Sequence, residues 1–163
     1  MTGGQGVAAD PFTDLYVAHF ASLVRLAALL LDEPAACEDV VQEAYIKVAA
    51  RRLRDPEASL AYLRRTVLNL SRSAMRRRLV ALRYLTHAPS SVPDGVDALV
   101  DRDAMVRAVR ALPRRQREAV SLRYYADLTE AQTAGVMGVS VGAVKSQTSR
   151  GLARLAELLE THA

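Results

Sequence analysis

The chain of 163 residues has no tryptophan, two phenylalanines and a single cysteine. One thiol, Cys37, excludes an internal disulfide and a cysteine-based zinc cluster; it is expected as a small buried residue in a reducing compartment. With aromatics at 5% of residues, the apolar half of the composition falls to Ala, Leu and Val, which suits helices packed by small and medium side chains. No apolar run reaches the roughly 18 residues of a membrane span, so no membrane insertion is expected. The first nine residues lack the basic start and apolar stretch of a signal peptide and read as a tail, consistent with a cytoplasmic protein. His19, His87 and His162 are scattered outside any metal-ligand spacing. There is no glycine-rich phosphate loop, no Gly-x-Ser-x-Gly elbow and no pair of acids beside an apolar run. These absences argue against an enzyme and give no cofactor and no metal.

What is present is charge, unevenly placed. The formal net charge is +4. From Asp10 to Ala50 seven acids face two bases, a net of −5. From Arg51 to Arg83 ten arginines face two acids, a net of +8. Helical periodicity runs from Asp10-Pro11 through Phe12, Leu15, Tyr16, His19, Leu23, Leu26 and Leu30, then over 35–52, and again over 59–82 with the stripe Leu60, Leu63, Val67, Leu70 and Ala74. Asp55-Pro56-Glu57 reads as a turn. Residues 86–95, THAPSSVPDG, read as a linker. Beyond it helices are predicted over 96–111 and 114–126. No strand alternation occurs, so the chain is all-α: a bundle of helices joined by a linker to a smaller helical unit. No sizeable extension follows the last helix, and no added sensory domain is expected.

Residues 128–155 predict a helix-turn-helix. Thr129 and Gln132 form a capping box, Gly138 ends the first helix, and Ser140 caps the second. Val136, Val139, Val144 and Leu152 are spaced to pack the two helices together. Gly142, Ala143, Lys145, Ser146, Ser149 and Arg150 then face outward, a small, polar and basic surface suited to a DNA major groove. In the second helix, Asp39, Gln42, Glu43 and Ile46 fall at i, i+3, i+4 and i+7 on one face, a candidate docking surface for a basic partner. The third helix carries Arg64, Arg65, Arg72, Arg76, Arg77 and Arg78 with few acids to pair them, which points to phosphate. Within it Asn69 can hydrogen-bond a base edge, and Tyr62 can stack on an unpaired base.

The ordered segments EDVVQEAYIKV, YLRRTVLNLSRSAMRRR, LPRRQREAVSLRYYADLT and GVSVGAVKSQTSRGLARL resemble the extracytoplasmic-function (ECF) sigma factors of the sigma-70 family, most closely the actinobacterial SigE-family subset. The resemblance covers about residues 12–160. It implies two small helical domains, sigma region 2 over 10–84 and sigma region 4 over 96–161, with a flexible linker over 85–95. It implies a sigma factor that binds RNA polymerase core, through the β′ clamp helices and the β flap, and directs it to promoter DNA. Asp39, Gln42, Glu43 and Ile46 would dock on core. Tyr62, Arg65, Asn69, Arg72, Arg76 and Arg77 would capture and hold the melted −10 strand. Lys145, Ser146, Ser149 and Arg150 would read the −35 duplex. An anti-sigma factor is an expected further partner. Three residues depart from the family's common pattern: Ala143 where Thr is usual, Gln132 for Glu, and Gly135 inside a helix. A dimeric helix-turn-helix repressor or activator is the alternative reading, and would need a dimerisation helix but no acidic docking face.

Overall fold

The computed structural model describes residues 10–85 and 104–161. The tail, nearly all of the expected linker and residues 96–103 of the helix expected over 96–111 lie outside the described residues. All regular structure among the described residues is helical. In the first half, α1 spans Pro11–Leu30, α2 Ala35–Arg51 and α3 Pro56–Tyr84. In the second, α4 spans Ala104–Arg110 and α5 Arg114–Val120. A π-helical turn follows over Ser121–Tyr125, then α6 over Glu130–Met137 and α7 over Val141–Thr161.

The Asp-Pro pairs explain two of the helix starts. Asp10 accepts a hydrogen bond from the Phe12 amide, and Pro11 takes the first helical position, where its missing N–H costs nothing. Asp55 does the same for Glu57, so the sequence read as a turn is the first turn of α3, three residues ahead of the expected start. By length and composition α1, with a mean hydropathy of 1.3, is apolar enough to cross a membrane although polar residues interrupt its apolar run. Part of that apolarity serves the core: Leu15, Leu23, Leu26, Ala27 and Leu30 are buried in the bundle, and Phe12, Phe20, Val24 and Ala28 pack against it half-buried, while Val17 is exposed.

The single helix expected over 114–126 instead widens at its end. The Ala126 amide donates to the Ser121 carbonyl, an i→i−5 bond. Leu122 is thereby fully buried beside Ala119, while Tyr124 and Tyr125 stay on the surface.

The two halves are in contact. α1 lies against α4, α5 and the π turn, and α3 lies against α6. One apolar cluster runs through both, joining Leu26, Leu63, Val67 and Leu68 to Ala119, Leu122, Leu128 and Met137. Each fully buried Leu in it contributes on the order of 1.5–3 kcal/mol, so the interface is a continuation of the core.

Candidate nucleic-acid interface

The helix-turn-helix forms from the signals its sequence carries. Thr129 Oγ1 accepts from the Gln132 amide at 3.1 Å, and Gln132 Oε1 accepts from the Thr129 amide at 2.9 Å, closing the capping box. Gly138 adopts φ +69°, a left-handed conformation that favours glycine. Ser140 Oγ accepts from the Ala143 amide at 3.1 Å and opens α7. Val136 and Val144 are buried between α6 and α7, and Val139 is half-buried. Leu152 is not part of this packing: it is 39% exposed, and Gly151 and Leu155 occupy the inner face instead. The reason is a close crossing of α7 over α5. A Cβ on Gly151 would lie 2.7 Å from Val120 Cγ2, so only a bare backbone fits there, and the next residue turns outward. Lys145, Ser149, Arg150 and Gly142 are exposed, whereas Ser146 and Ala143 are half-buried. Lys145 Nζ sits 3.7 Å from a Glu130 carboxylate oxygen, a contact at the surface.

On α2, Asp39, Gln42, Glu43 and Ile46 are all exposed, and Ile46 is 70% exposed. The opposite face is anchored by Val40, Val41, Ala44, Tyr45 and Val48. Tyr45 meets Phe12 edge-on at 5.9 Å, packs on Tyr16 at 4.9 Å, and donates its hydroxyl to the Leu15 carbonyl at 3.2 Å. These contacts fix the rotation of α2, so its acidic face points outward. Within that face Glu43 lies 3.9 Å from Lys47.

The residues singled out on α3 separate into distinct environments. Arg65, Asn69, Arg76 and Arg77 are exposed. Arg76 donates to Ser73 Oγ at 3.2 Å. Tyr62 is half-buried, with the Arg51 guanidinium 4.8 Å from its ring centroid. Between the start of α3 and α6 lies a cleft of about 710 Å³ whose walls include Tyr62, Arg64, Arg65, Gln132 and Gly135. The helix-turn-helix thus sits beside the arginine helix. Burial lowers the pKa of Arg64.

Arg72 is engaged within the protein. Its Nε donates to Glu118 Oε1 at 2.9 Å and its Nη2 to Glu118 Oε2 at 2.8 Å, a two-pronged ion pair. Nη2 also donates to the Met137 carbonyl at 3.2 Å. The hydrogen bond to Glu118 raises the pKa of Arg72. Sequence reasoning missed Glu118, whose side chain is 3% exposed, and missed the other arginines that join the halves. Arg110 donates to the Ala28 carbonyl at 2.9 Å; Arg117 donates to the Leu30 carbonyl at 3.3 Å and to Asp32 at 3.2 Å. Arg25 donates to the Tyr125 hydroxyl at 2.9 Å. The last turn of α1 has no basic residue of its own, so Arg110 and Arg117 supply the positive charge its C-terminal carbonyls favour. The linear signal for this was an arginine-rich segment, RRQRE, holding one acid, but its partners lie 46 to 87 residues away.

Elsewhere, burial raises the Cys37 thiol to about 11 and the Tyr45 phenol to about 12. Among the described residues no group of three or more His, Cys, Asp or Glu could hold a metal ion.

The family model for Sigma-70 region 2 matches residues 15–79, and that for Sigma-70, region 4, matches residues 102–155. The RNA polymerase sigma-E factor of Streptomyces avermitilis is 32% identical over 143 residues, which cover 86% of this chain and 80% of that one. The ECF RNA polymerase sigma factor SigL of Mycobacterium tuberculosis is 31% identical over 155 residues, 90% of this chain and 88% of that one. The fold matches that of the sigma factor RpoE in its complex with the anti-sigma factor NepR from Bartonella quintana, with a TM-score of 0.73, 24% identity, and coverage of 91% of this chain and 96% of that one. With both sigma regions matched in order and such relatives aligned over most of their length, the chain belongs to the sigma-70 family, as an ECF sigma factor that directs RNA polymerase to promoters.

Proposed function

We propose that the chain grips core polymerase and promoter at separate surfaces, assigned residue by residue. Asp39, Gln42, Glu43 and Ile46 dock on the polymerase core. Tyr62, Arg65, Asn69, Arg72, Arg76 and Arg77 capture an unpaired base and hold the melted −10 strand. Lys145, Ser146, Ser149 and Arg150 read the −35 duplex. The observation that carries this reading is the outward presentation of an acidic helix face and a basic recognition helix by one small fold. A groove-reading helix by itself needs no acidic face with a 70%-exposed isoleucine at its edge.

The physical task suits such a protein. Opening a duplex costs stacking energy, on the order of 1.4 kcal/mol per step. Binding an extruded base on an aromatic ring and the exposed backbone on arginines offsets part of that. The protein then acts as a specificity subunit, without catalysis of its own, in the cytoplasm where polymerase works. Nothing observed favours the alternative of a dimeric repressor or activator. An anti-sigma factor is a fitting further partner: RpoE was solved with the anti-sigma factor NepR, and CnrH with the cytosolic domain of CnrY.

Purified core polymerase titrated with the fluorescent chain tests the docking face. Asp39→Lys with Glu43→Lys reverses two exposed charges without touching the core of the bundle. Affinity for core should drop at least tenfold, while binding of Lys145 and Arg150 to duplex DNA stays intact. Equal loss of both activities would refute the face assignment.

A further inference from the structure

The Arg72–Glu118 pair crosses between the halves, and one member belongs to the arginine helix. Arg65, Asn69, Arg76 and Arg77 on that helix are open to solvent, but the Arg72 side chain is 18% exposed and points into the second half. Among the described residues Glu118 is the only acid within 4 Å of it, and Glu118 also draws Arg114 to 3.7 Å. A carboxylate presents two oxygens to a guanidinium fork in the same way as a phosphate does. Arg72 cannot hold both.

The closed packing is also imperfect at this point. The buried hydroxyl of Ser71, next to Arg72, has no hydrogen-bond partner, and a small void of about 10 Å³ lies between Ser71, Met75, Arg72 and Glu118. A buried ion pair gives little net stability, because the desolvation of both charges opposes their attraction. An unpartnered hydroxyl opposes closure further. Opening would rehydrate Ser71 and Glu118 and release the Met137 carbonyl. The pair thus specifies one arrangement while the apolar cluster around it supplies the stability, and loss of the Glu118 charge would leave Arg72 buried and unpaired, which disfavours closure.

We propose that the Arg72–Glu118 pair is an autoinhibitory latch: Glu118 occupies Arg72 in place of a DNA phosphate, so the closed packing of α3 on α6 and the binding of a single strand along α3 exclude each other. This rests on the reading of α3 as the strand-holding helix. Arg110 and Arg117 hold the same closed state through the end of α1, donating to the Ala28 and Leu30 carbonyls rather than to a group on α3. The latch is therefore where ligand and closure compete directly. Apparent affinity for a strand falls by the fraction of molecules that are open.

The test uses the full chain carrying Cys37→Ser, with spin labels on cysteines placed at the exposed positions Ala21 and Glu157, one in each half. Glu118→Gln keeps the shape of the side chain and removes its charge. The latch predicts a longer and broader label-to-label distance. It also predicts several-fold tighter binding of a fluorescein-labelled single-stranded oligodeoxynucleotide by the unlabelled variant. Adding Arg72→Gln to Glu118→Gln should keep the longer distance and cancel the gain in binding. An unchanged distance in Glu118→Gln overturns the latch, and so does a double variant that binds as tightly as Glu118→Gln alone. Arg72→Lys, which keeps the charge and loses the fork, gives an independent opening variant should Glu118→Gln fold poorly by circular dichroism. Oligonucleotide binding that survives Arg65→Ala, Arg76→Ala and Arg77→Ala together would refute the strand-holding reading itself, and the competition with it. The distance measurement would then report only whether the pair closes the halves.

Discussion

Gly135 and Gly151 lie one on each helix of the helix-turn-helix, and the same substitution should move stability in opposite directions at the two. In a helix interior, Gly→Ala gains about 1 kcal/mol from reduced backbone freedom and better helix propensity. At Gly135 an added Cβ meets nothing within 4 Å, so the gain stands undiminished. At Gly151 it would meet Val120 Cγ2 at 2.7 Å and Gln116 Cβ at 3.4 Å. Carbon atoms rest at about 3.5–4.0 Å, so α7 must retreat from α5 by nearly an ångström. Overpacking of this kind costs about 1–3 kcal/mol, which cancels or exceeds the propensity gain. For a chain of 163 residues, 1 kcal/mol corresponds to about 2–4 °C in Tm. Thermal unfolding followed by circular dichroism should therefore place Gly135→Ala above the parent by a few degrees, and Gly151→Ala at or below it. Val120→Ala removes the obstructing methyl, so it should cost about 1 kcal/mol less in the Gly151→Ala background than in the parent. A Gly151→Ala protein stabilised as much as Gly135→Ala, or strict additivity with Val120→Ala, would refute the close-crossing argument.

Lys145→Ala and Arg150→Ala alter exposed residues and should leave Tm unchanged. Each should weaken binding to a −35 duplex by about 1–3 kcal/mol where it meets a base edge, or flatten the salt dependence where it meets phosphate, as read by anisotropy at several salt concentrations. The Cys37 thiol, raised to about 11 by burial, should resist alkylation by iodoacetamide at pH 8 in the folded chain and react on unfolding in urea. The folded pKa lies above the unfolded value of 9.0, so the stability linked to this thiol is fully present below pH 9 and is lost as pH rises toward 11. Tyr45, raised from 10.0 to about 12, extends that loss to higher pH. Urea midpoints should fall steadily above pH 9, and a midpoint flat from pH 8 to 11 would contradict this.

Local signals were legible in the sequence because the physics that sets them is local. The Thr129–Gln132 box, the left-handed Gly138 and the Ser140 cap are each written within a few residues of their partner. The acidic face of α2 was readable from spacing alone. Two features needed the third dimension. Leu152 has the right period for the α6–α7 seam, but periodicity does not report where α5 crosses, and Gly151 takes the contact. Arg72 has the same sequence surroundings as its exposed neighbours on α3, and only the placement of Glu118 against it distinguishes the two environments. The π turn at Ser121–Tyr125 likewise follows from which side chains the core admits, Leu122 inward and Tyr124 outward, rather than from propensity.

Footprinting of a reconstituted holoenzyme measures the central claim most directly. Core polymerase and the full chain would be bound to a promoter fragment selected by that same holoenzyme from genomic DNA, and probed for protection and for permanganate-reactive thymines. The account predicts a protected −35 duplex together with reactive thymines in the −10 element. Lys145→Ala with Arg150→Ala should lose the upstream protection, and Asp39→Lys with Glu43→Lys should lose both signals. A pattern no different from core polymerase alone would contradict the account.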